Sequence, residues 1–419
     1  MEDLVKGLIN VALDRIRGGD EEQDERDERS RSSWAEVVSA DSDHTRHGRI
    51  NEVGDSNPLI PSFIDAASDV EIVSQPQDYE RNNDPRGTVG TEPLHKDHER
   101  NSDDGWETVG QKPHHKVSKQ KWDHYKRPLD EQEYSGGFEC GSETEPTEEE
   151  LEDLSRAVNK LWELDFNRLS PGKDYEIDCG GGKKVYQTED MARGSLFSWV
   201  DQDVFLRPTY SRFCSLLDNY NPHEGYKENV TDEERHEQAA FVEEVSRTAP
   251  IQYLHKYLLA KGLASENHQE FKEMLKSLWF DLYARGGRSD SSSAFEHVFV
   301  GEIKQQEEQE VVGFHNWIQF YLEEAKGRVD YQGYIFPRRR GHLPDSETQL
   351  LTIQFEWNGI PKSVSSTLIG VSPEFEIATY SLCFYTGGED NHLELGPYPV
   401  NIKCYRFGSR IGSAFPVAD

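Results

Sequence analysis

The chain is poor in the residues that staple small secreted domains. Its five cysteines are an odd number, scattered at 140, 179, 214, 383 and 404 among 419 residues, with no CxxC pair among them. That excludes a disulfide framework or a zinc ribbon and points to reduced thiols in the cytosol or nucleus. Long apolar runs are also absent. Nothing approaches the length needed to span a bilayer, and Glu2 and Asp3 stand where a secretory leader would carry basic residues. Positive charge is scarce, with 46 Lys and Arg against 79 Asp and Glu, a net charge of −33. Coating nucleic acid by bulk electrostatics is thereby excluded, and any RNA binding must use a local site. Gly180-Gly181-Gly182 lacks the lysine and helix context of a phosphate-binding loop, and no H-E-x-x-H occurs.

Only 34% of the residues are hydrophobic, so a large part of the chain is not core. Residues 1–18 form an amphipathic helix candidate, with Leu4, Leu8, Val11 and Ile16 at helical spacing before Gly18-Gly19. So short a helix is marginal alone, and its apolar face suits a protein or membrane partner or the folded remainder of the chain. Residues 19–146 are acidic and rich in Ser, Asn, Gly and Pro, a composition that reads as disorder. Two islands within it, around Trp34 and Trp106, share a Trp-x-x-Val pattern, and Trp122 sits in a basic run. They read as partner motifs or as an aromatic and basic RNA contact, against coincidence in an acidic linker.

Order is expected from Thr147, where Thr-Glu-Glu-Glu opens a helix bearing Leu151, Leu154, Val158 and Leu161. Helical patterns recur at 208–219, 231–247, 251–260 and 267–284, a helical lobe over 147–290. From 291 to 419 the pattern is mostly strands, including FEIATYSLCFYTG, with one helix in NWIQFYLEEAKG. Helices followed by antiparallel strands predict an α+β fold, with a helical N-terminal lobe beside antiparallel sheets.

The densest chemistry lies in FEHVFVGEIKQQEEQEVVGFHNW, residues 295–317. Two strand-like arms, 295–303 and 310–317, predict a hairpin with His297 on one arm and His315 on the other. Two imidazoles flanking one reacting group suit proton transfer near neutral pH. A strand histidine is more often a packing residue than a catalyst. With Glu302, the pair also offers metal-type ligands, although its spacing is not that of the usual helical motif. Asn358-Gly359 predicts a turn that presents Lys362 from a strand end or loop.

The segments SSSAFEHVFVGE and GFHNWIQFYLEE resemble the signature of the EndoU family of poly(U)-specific endoribonucleases. The similarity continues through KLWELDFNRLSPGKDYEID, FLRPTYSRFCSLLDNY, the 350–380 run and YRFGSRIGSAFP, covering about Glu148 to the C-terminus. The resemblance implies a catalytic lobe with the active site in a groove between sheet edges. It also implies cleavage of single-stranded RNA at uridines by 2′-OH transesterification, leaving a 2′,3′-cyclic phosphate and a 5′-OH. His315 is then the base, His297 the acid and Lys362 the charge stabiliser, a trio that pancreatic ribonuclease uses on an unrelated fold. The uridine contacts implied are Ser413 and Phe415, where the family usually has Thr and Tyr, with Ser365 or Ser366 as a further hydrogen-bonding group. Phenylalanine keeps a stacking face but loses the hydroxyl, so base selectivity is the property this departure touches. Mn²⁺ dependence, with Ca²⁺ as a substitute, is likewise implied, with Glu296 and Glu302 either orienting an imidazole or binding a cation. Arg338, Arg339 and Arg340 read as a phosphate-tracking loop. A monomeric intracellular enzyme is the leading expectation; a non-catalytic RNA- or protein-binding module on the same fold is the alternative.

Overall fold

The computed structural model describes residues 132–136, 144–286, 288–305, 308–337 and 343–418. The N-terminal amphipathic segment, the two islands around Trp34 and Trp106, the basic run with Trp122 and the Arg338–Arg340 run lie outside these residues.

Thr147 opens the first helix as its sequence dictates. Its hydroxyl accepts from the Glu150 N–H while the Glu150 side chain accepts from the Thr147 N–H, capping α1 (Glu148–Glu152) at both orphan donors. Asp153 breaks the run and caps α2 (Leu154–Leu164), which buries Val158, Leu161 and Trp162. Three short strands follow: β1 (Tyr175–Ile177), β2 (Gly182–Lys183) and β3 (Phe197–Val200). The helical lobe then adds α3 (Pro208–Leu216), α4 (Asp232–Val245), α5 (Ala249–Ala260) and α6 (His268–Phe280).

Strands β4 (Tyr283–Arg285) and β5 (Arg288–Ser292) pair antiparallel. The predicted long hairpin is smaller than its composition suggests. Only β6 (Glu302–Lys304) and β7 (Glu310–Val312) pair, and Glu296–Val300 is a π-helical turn. The correction has a packing cause: Phe295 and Phe299, four apart, enter an aromatic cluster with Phe213, Phe241 and Phe280, which a helical turn satisfies and an extended strand cannot. Helix α7 (Trp317–Ala325) follows, as predicted.

The C-terminal half contains β8 (Val329–Ile335), β9 (Leu350–Trp357), β10 (Ile360–Leu368), α8 (Pro373–Thr386), β11 (Asp390–Leu395), β12 (Tyr398–Phe407) and β13 (Arg410–Ala418). One sheet runs β10-β9-β8-β2 and another β11-β12-β13, antiparallel except where β2 joins β8 in parallel. The architecture is α+β. The run FEIATYSLCFYTG is a helix, not a strand: Ser372 caps the Phe375 N–H, Pro373 starts the first turn, and the helix is buried almost all round. A run buried on all sides carries no period to distinguish the two, and the Ser-Pro-Glu start was the available signal.

Candidate functional site

The two histidines are joined through the backbone. Ser293 accepts the Glu296 N–H on its hydroxyl and the His297 N–H on its carbonyl, starting the wide turn that carries His297. Gly301, at φ 91°, closes that turn with a bond to the Glu296 carbonyl. Downstream, the Phe314 N–H donates to the His297 carbonyl at 3.2 Å and the His315 N–H to the Val298 carbonyl at 2.9 Å. This approach requires Gly313: its φ is 62°, and a Cβ there would lie 1.8 Å from the His297 carbonyl oxygen. Phe314 also has a positive φ, 61°, held by its ring packing on Phe355 and Trp357.

Each imidazole has one nitrogen committed. His297 Nδ1 lies 2.6 Å from Glu302 Oε2, which also faces Arg285 Nε at 3.3 Å. An ionised Glu302 accepts only, so Nδ1 carries the proton and Nε2 is left for chemistry. His315 Nδ1 lies 3.2 Å from Ser365 Oγ and 3.3 Å from the Ser366 carbonyl. Ser365 gives its own proton to the Phe314 carbonyl at 3.0 Å, so both groups facing Nδ1 accept from it. The His315 Nε2 lone pair is therefore free. Phe415 stacks on this imidazole, centroids 4.5 Å apart and planes 16° from parallel.

Lys362 is in strand β10 rather than in a loop, opposite Phe355, and is buried, because the Asn358-Gly359 turn is tight and pairing begins at once at Ile360. Both turn residues have positive φ, 54° and 78°, as a two-residue hairpin turn demands. The Lys362 ammonium donates to the Val311 carbonyl at 3.0 Å. A register irregularity between Lys362 and Ser365 separates the lysine from the two serines that face His315. Burial lowers Lys362 to about 8, with Lys304 adding to the effect and Glu310 opposing it. Burial also holds both imidazoles well below their ordinary value; Arg285, Lys362 and Lys304 add to this at His297, and Lys362 and His297 at His315. Each imidazole thus feels the lysine charge, which brings the three residues into one electrostatic unit.

The remaining sequence candidates divide. Ser366 spends its hydroxyl on Thr352 at 2.8 Å and faces His315 with its carbonyl. Ser413 is buried on β13 opposite Tyr405, next to Gly412, whose carbonyl accepts from Arg285. Glu302 takes the orienting role. Glu296 is buried beside it, and burial together with the Glu302 charge raises its carboxyl well above the usual range. One carboxyl engaged with His297 and Arg285 and a neighbour favouring its proton do not fit a divalent cation. Among the described residues, no group of three His, Cys, Asp or Glu side chains forms a metal site. Sequence reasoning missed Arg285 and Asn316. Asn316 caps α7 and donates to Glu376 on α8 at 2.6 Å, anchoring the backbone beside His315. Its Asn-Trp-Ile start was a readable cap signal; Arg285 had none, since tertiary packing alone brings it to Glu302.

Two oriented imidazoles with free Nε2 atoms and a buried ammonium, set between a helical lobe and a sheet, define a general acid–base site. Residues 153–416 match the family model described as endoribonuclease XendoU, and the chain belongs to that family. It is 42% identical over 272 residues to uridylate-specific endoribonuclease B of Danio rerio, covering 63% of this chain and 95% of that protein. It is 42% identical over 277 residues to poly(U)-specific endoribonuclease-A of Xenopus laevis, covering 63% and 93%. The solved structure titled "The structure of XendoU: a splicing independent snoRNA processing endoribonuclease" is 41% identical, with a TM-score of 0.56 over 64% of this chain and 96% of that one.

Proposed function

We propose that the chain is a uridylate-preferring endoribonuclease that cuts single-stranded RNA by attack of the ribose 2′-OH on the adjacent phosphorus. His315 Nε2, whose lone pair is left free by the Ser365 and Ser366 contacts, takes the 2′-OH proton. His297 Nε2 delivers a proton to the departing 5′-oxygen while Glu302 holds the ring and stabilises its cationic form. The incoming phosphate offsets the depression of the His297 pKa by burial and neighbouring cations, so substrate binding favours the acid form. Lys362 neutralises charge growing on the non-bridging oxygens. The products are a 2′,3′-cyclic phosphate and a 5′-OH; a DNA strand, without the 2′-OH, is left uncut.

The observation that carries this reading is the complementary tethering of the two Nδ1 atoms, which leaves two Nε2 atoms for base and acid. Names of the relatives support the uridine preference, with Ser413 and Phe415 as its bearers on β13. The requirement for Mn²⁺, or Ca²⁺ in its place, is proposed to act on RNA binding or conformation, with no proton step routed through it. Arg338, Arg339 and Arg340 are proposed to track phosphates. The N-terminal segment and tryptophan motifs are offered to a protein or membrane partner. A monomer in a reducing compartment is consistent with free, buried Cys179, Cys214, Cys383 and Cys404.

The test is cleavage of a fluorescent uridine-containing RNA beside the same oligomer with a 2′-deoxy at the cut uridine, with Mn²⁺ or EDTA, and with His315→Ala. Cleavage of the ribose strand alone, with a cyclic-phosphate end that disappears in the variant, is expected. Cutting of the deoxy strand would replace the transesterification reading with a water nucleophile.

A further inference from the structure

Contacts with the folded body begin before Thr147, upstream of the family match. Two guanidiniums lie over the Tyr134 ring, Arg212 of α3 at 4.0 Å and Arg247 at 4.7 Å from its centroid. Ser135 donates its N–H to Glu244 Oε2 at 3.2 Å and its hydroxyl to the other oxygen of that carboxylate. Arg212 donates to the Gln132 carbonyl at 3.0 Å, Arg247 to the Ser135 carbonyl at 3.3 Å, and the Gln132 amide reaches Ser215 Oγ at 3.3 Å.

The receiving surface has the character of a built site. Glu244 is fully buried and Arg212 is 2% exposed, and the Arg212 Nε to Glu244 Oε2 separation is 3.8 Å. Buried charges at that spacing need further hydrogen bonds, and the 132–135 segment supplies them to both. Burial of this kind is not the pattern of a chain end lying on a surface by chance. The same two helices carry Phe213 and Phe241, which pack on Phe295 beneath the turn that bears His297.

We propose that Arg212, Glu244 and Arg247 form a peptide-binding site on the helical lobe, specific for an aromatic residue followed by a hydroxyl residue, and that residues 132–136 are its resident, tethered ligand. Arg212 and Arg247 both bind the aromatic ring through cation–π contacts. Glu244 reads the next residue through its backbone N–H and hydroxyl together. Residues 132–136 are thus a strap that holds this stretch of the chain to the helical lobe. The inference stands apart from the nuclease reading, because none of these side chains takes part in the proposed proton transfers.

The test uses the full chain and the Tyr134→Ala/Ser135→Ala double variant, with a fluorescein-labelled peptide of residues 130–137 followed by anisotropy. The peptide is expected to bind the double variant and to bind the wild-type chain about tenfold or more weakly, because the tethered strap competes at high effective concentration. The same peptide with alanine in place of the tyrosine should bind neither. A far-UV circular dichroism spectrum and a cooperative thermal transition matching those of the wild-type chain show that the double variant is folded. Equal binding to both chains, or none to a folded double variant, overturns the proposal. Should the variant fail to fold, hydrogen exchange on the wild-type chain decides: excess peptide must accelerate exchange at residues 134–136, and unchanged exchange overturns the strap.

Discussion

The Phe415 ring lies flat on the His315 imidazole, 4.5 Å between centroids, so the residue proposed to contact the uracil also braces the proposed general base. Phe415→Ala should lower kcat as well as raise KM, by about tenfold each, because both ring orientation and stacking are lost. Phe415→Tyr keeps the stack and should leave kcat within about twofold while sharpening the preference for uridine over cytidine. Steady-state kinetics on matched U and C oligomers checks both.

Removing the His297 orienter separates ring geometry from ring identity. Glu302→Gln retains shape but withdraws the charge that stabilises a protonated His297, and should cut kcat by about 10²-fold or more with RNA affinity nearly unchanged. Single-turnover cleavage and binding measured on the same oligomer give the split.

Lys362 links activity to alkaline pH. With its pKa lowered to about 8, cleavage should decline as pH rises through that value, since the neutral amine no longer offsets phosphate charge. Stability moves oppositely: between about 8 and the ordinary lysine value the unfolded chain binds more protons than the folded one, so this group makes stability rise with pH there. Lys362→Met should abolish cleavage and raise stability at pH 7 by about 1–2 kcal/mol, after allowance for the unpaired Val311 carbonyl. A pH–rate profile and denaturant titrations test the two halves.

Gly313→Ala should be the most damaging small substitution at the site. The added methyl cannot coexist with the His297 carbonyl, and a non-glycine residue at φ 62° adds strain, so about 3 kcal/mol or more of stability should be lost together with activity. Urea unfolding gives the first number, and residual cleavage by the folded fraction gives the second.

Glu376 is raised to about 8 by burial, and the Asn316 and Tyr380 contacts oppose the shift. Its folded pKa exceeds the unfolded one, so its contribution is complete below about 4.5 and is lost as pH climbs to about 8. Glu376→Gln should flatten that slope, with melting temperatures converging with wild type at low pH and exceeding it above pH 8. Calorimetry across this range is the check.

Capped and periodic elements were legible in the sequence. Thr147-x-x-Glu150 opens α1, and the helices at 208, 232, 249 and 268 start within two residues of the expected positions because local signals determine them: Thr231 and Asn267 caps for two, a first-turn proline for the others. Segments whose side chains are buried on all sides were not. The π-helical turn at Glu296–Val300 and helix α8 have strand-like compositions, and tertiary packing around Phe295, Phe299 and Tyr380 decides their form. At the site, residue type and spacing gave His297 and His315 as candidates, and Lys362 joined them only through the resemblance to the EndoU family. The sequence offered Glu302 or Glu296 to orient an imidazole without deciding between them, and it was silent on Ser365 as the His315 partner, because these hydrogen bonds are made only after folding.

Strand β2, only Gly182 and Lys183, comes from the N-terminal half yet completes the sheet that holds Lys362 at its opposite edge. The boundary between lobes is therefore not a seam along which the enzyme divides. A polypeptide severed between β4 and β5 would yield fragments that each lack part of a shared sheet, and together they make a complementation pair: silent when expressed singly, active when co-expressed.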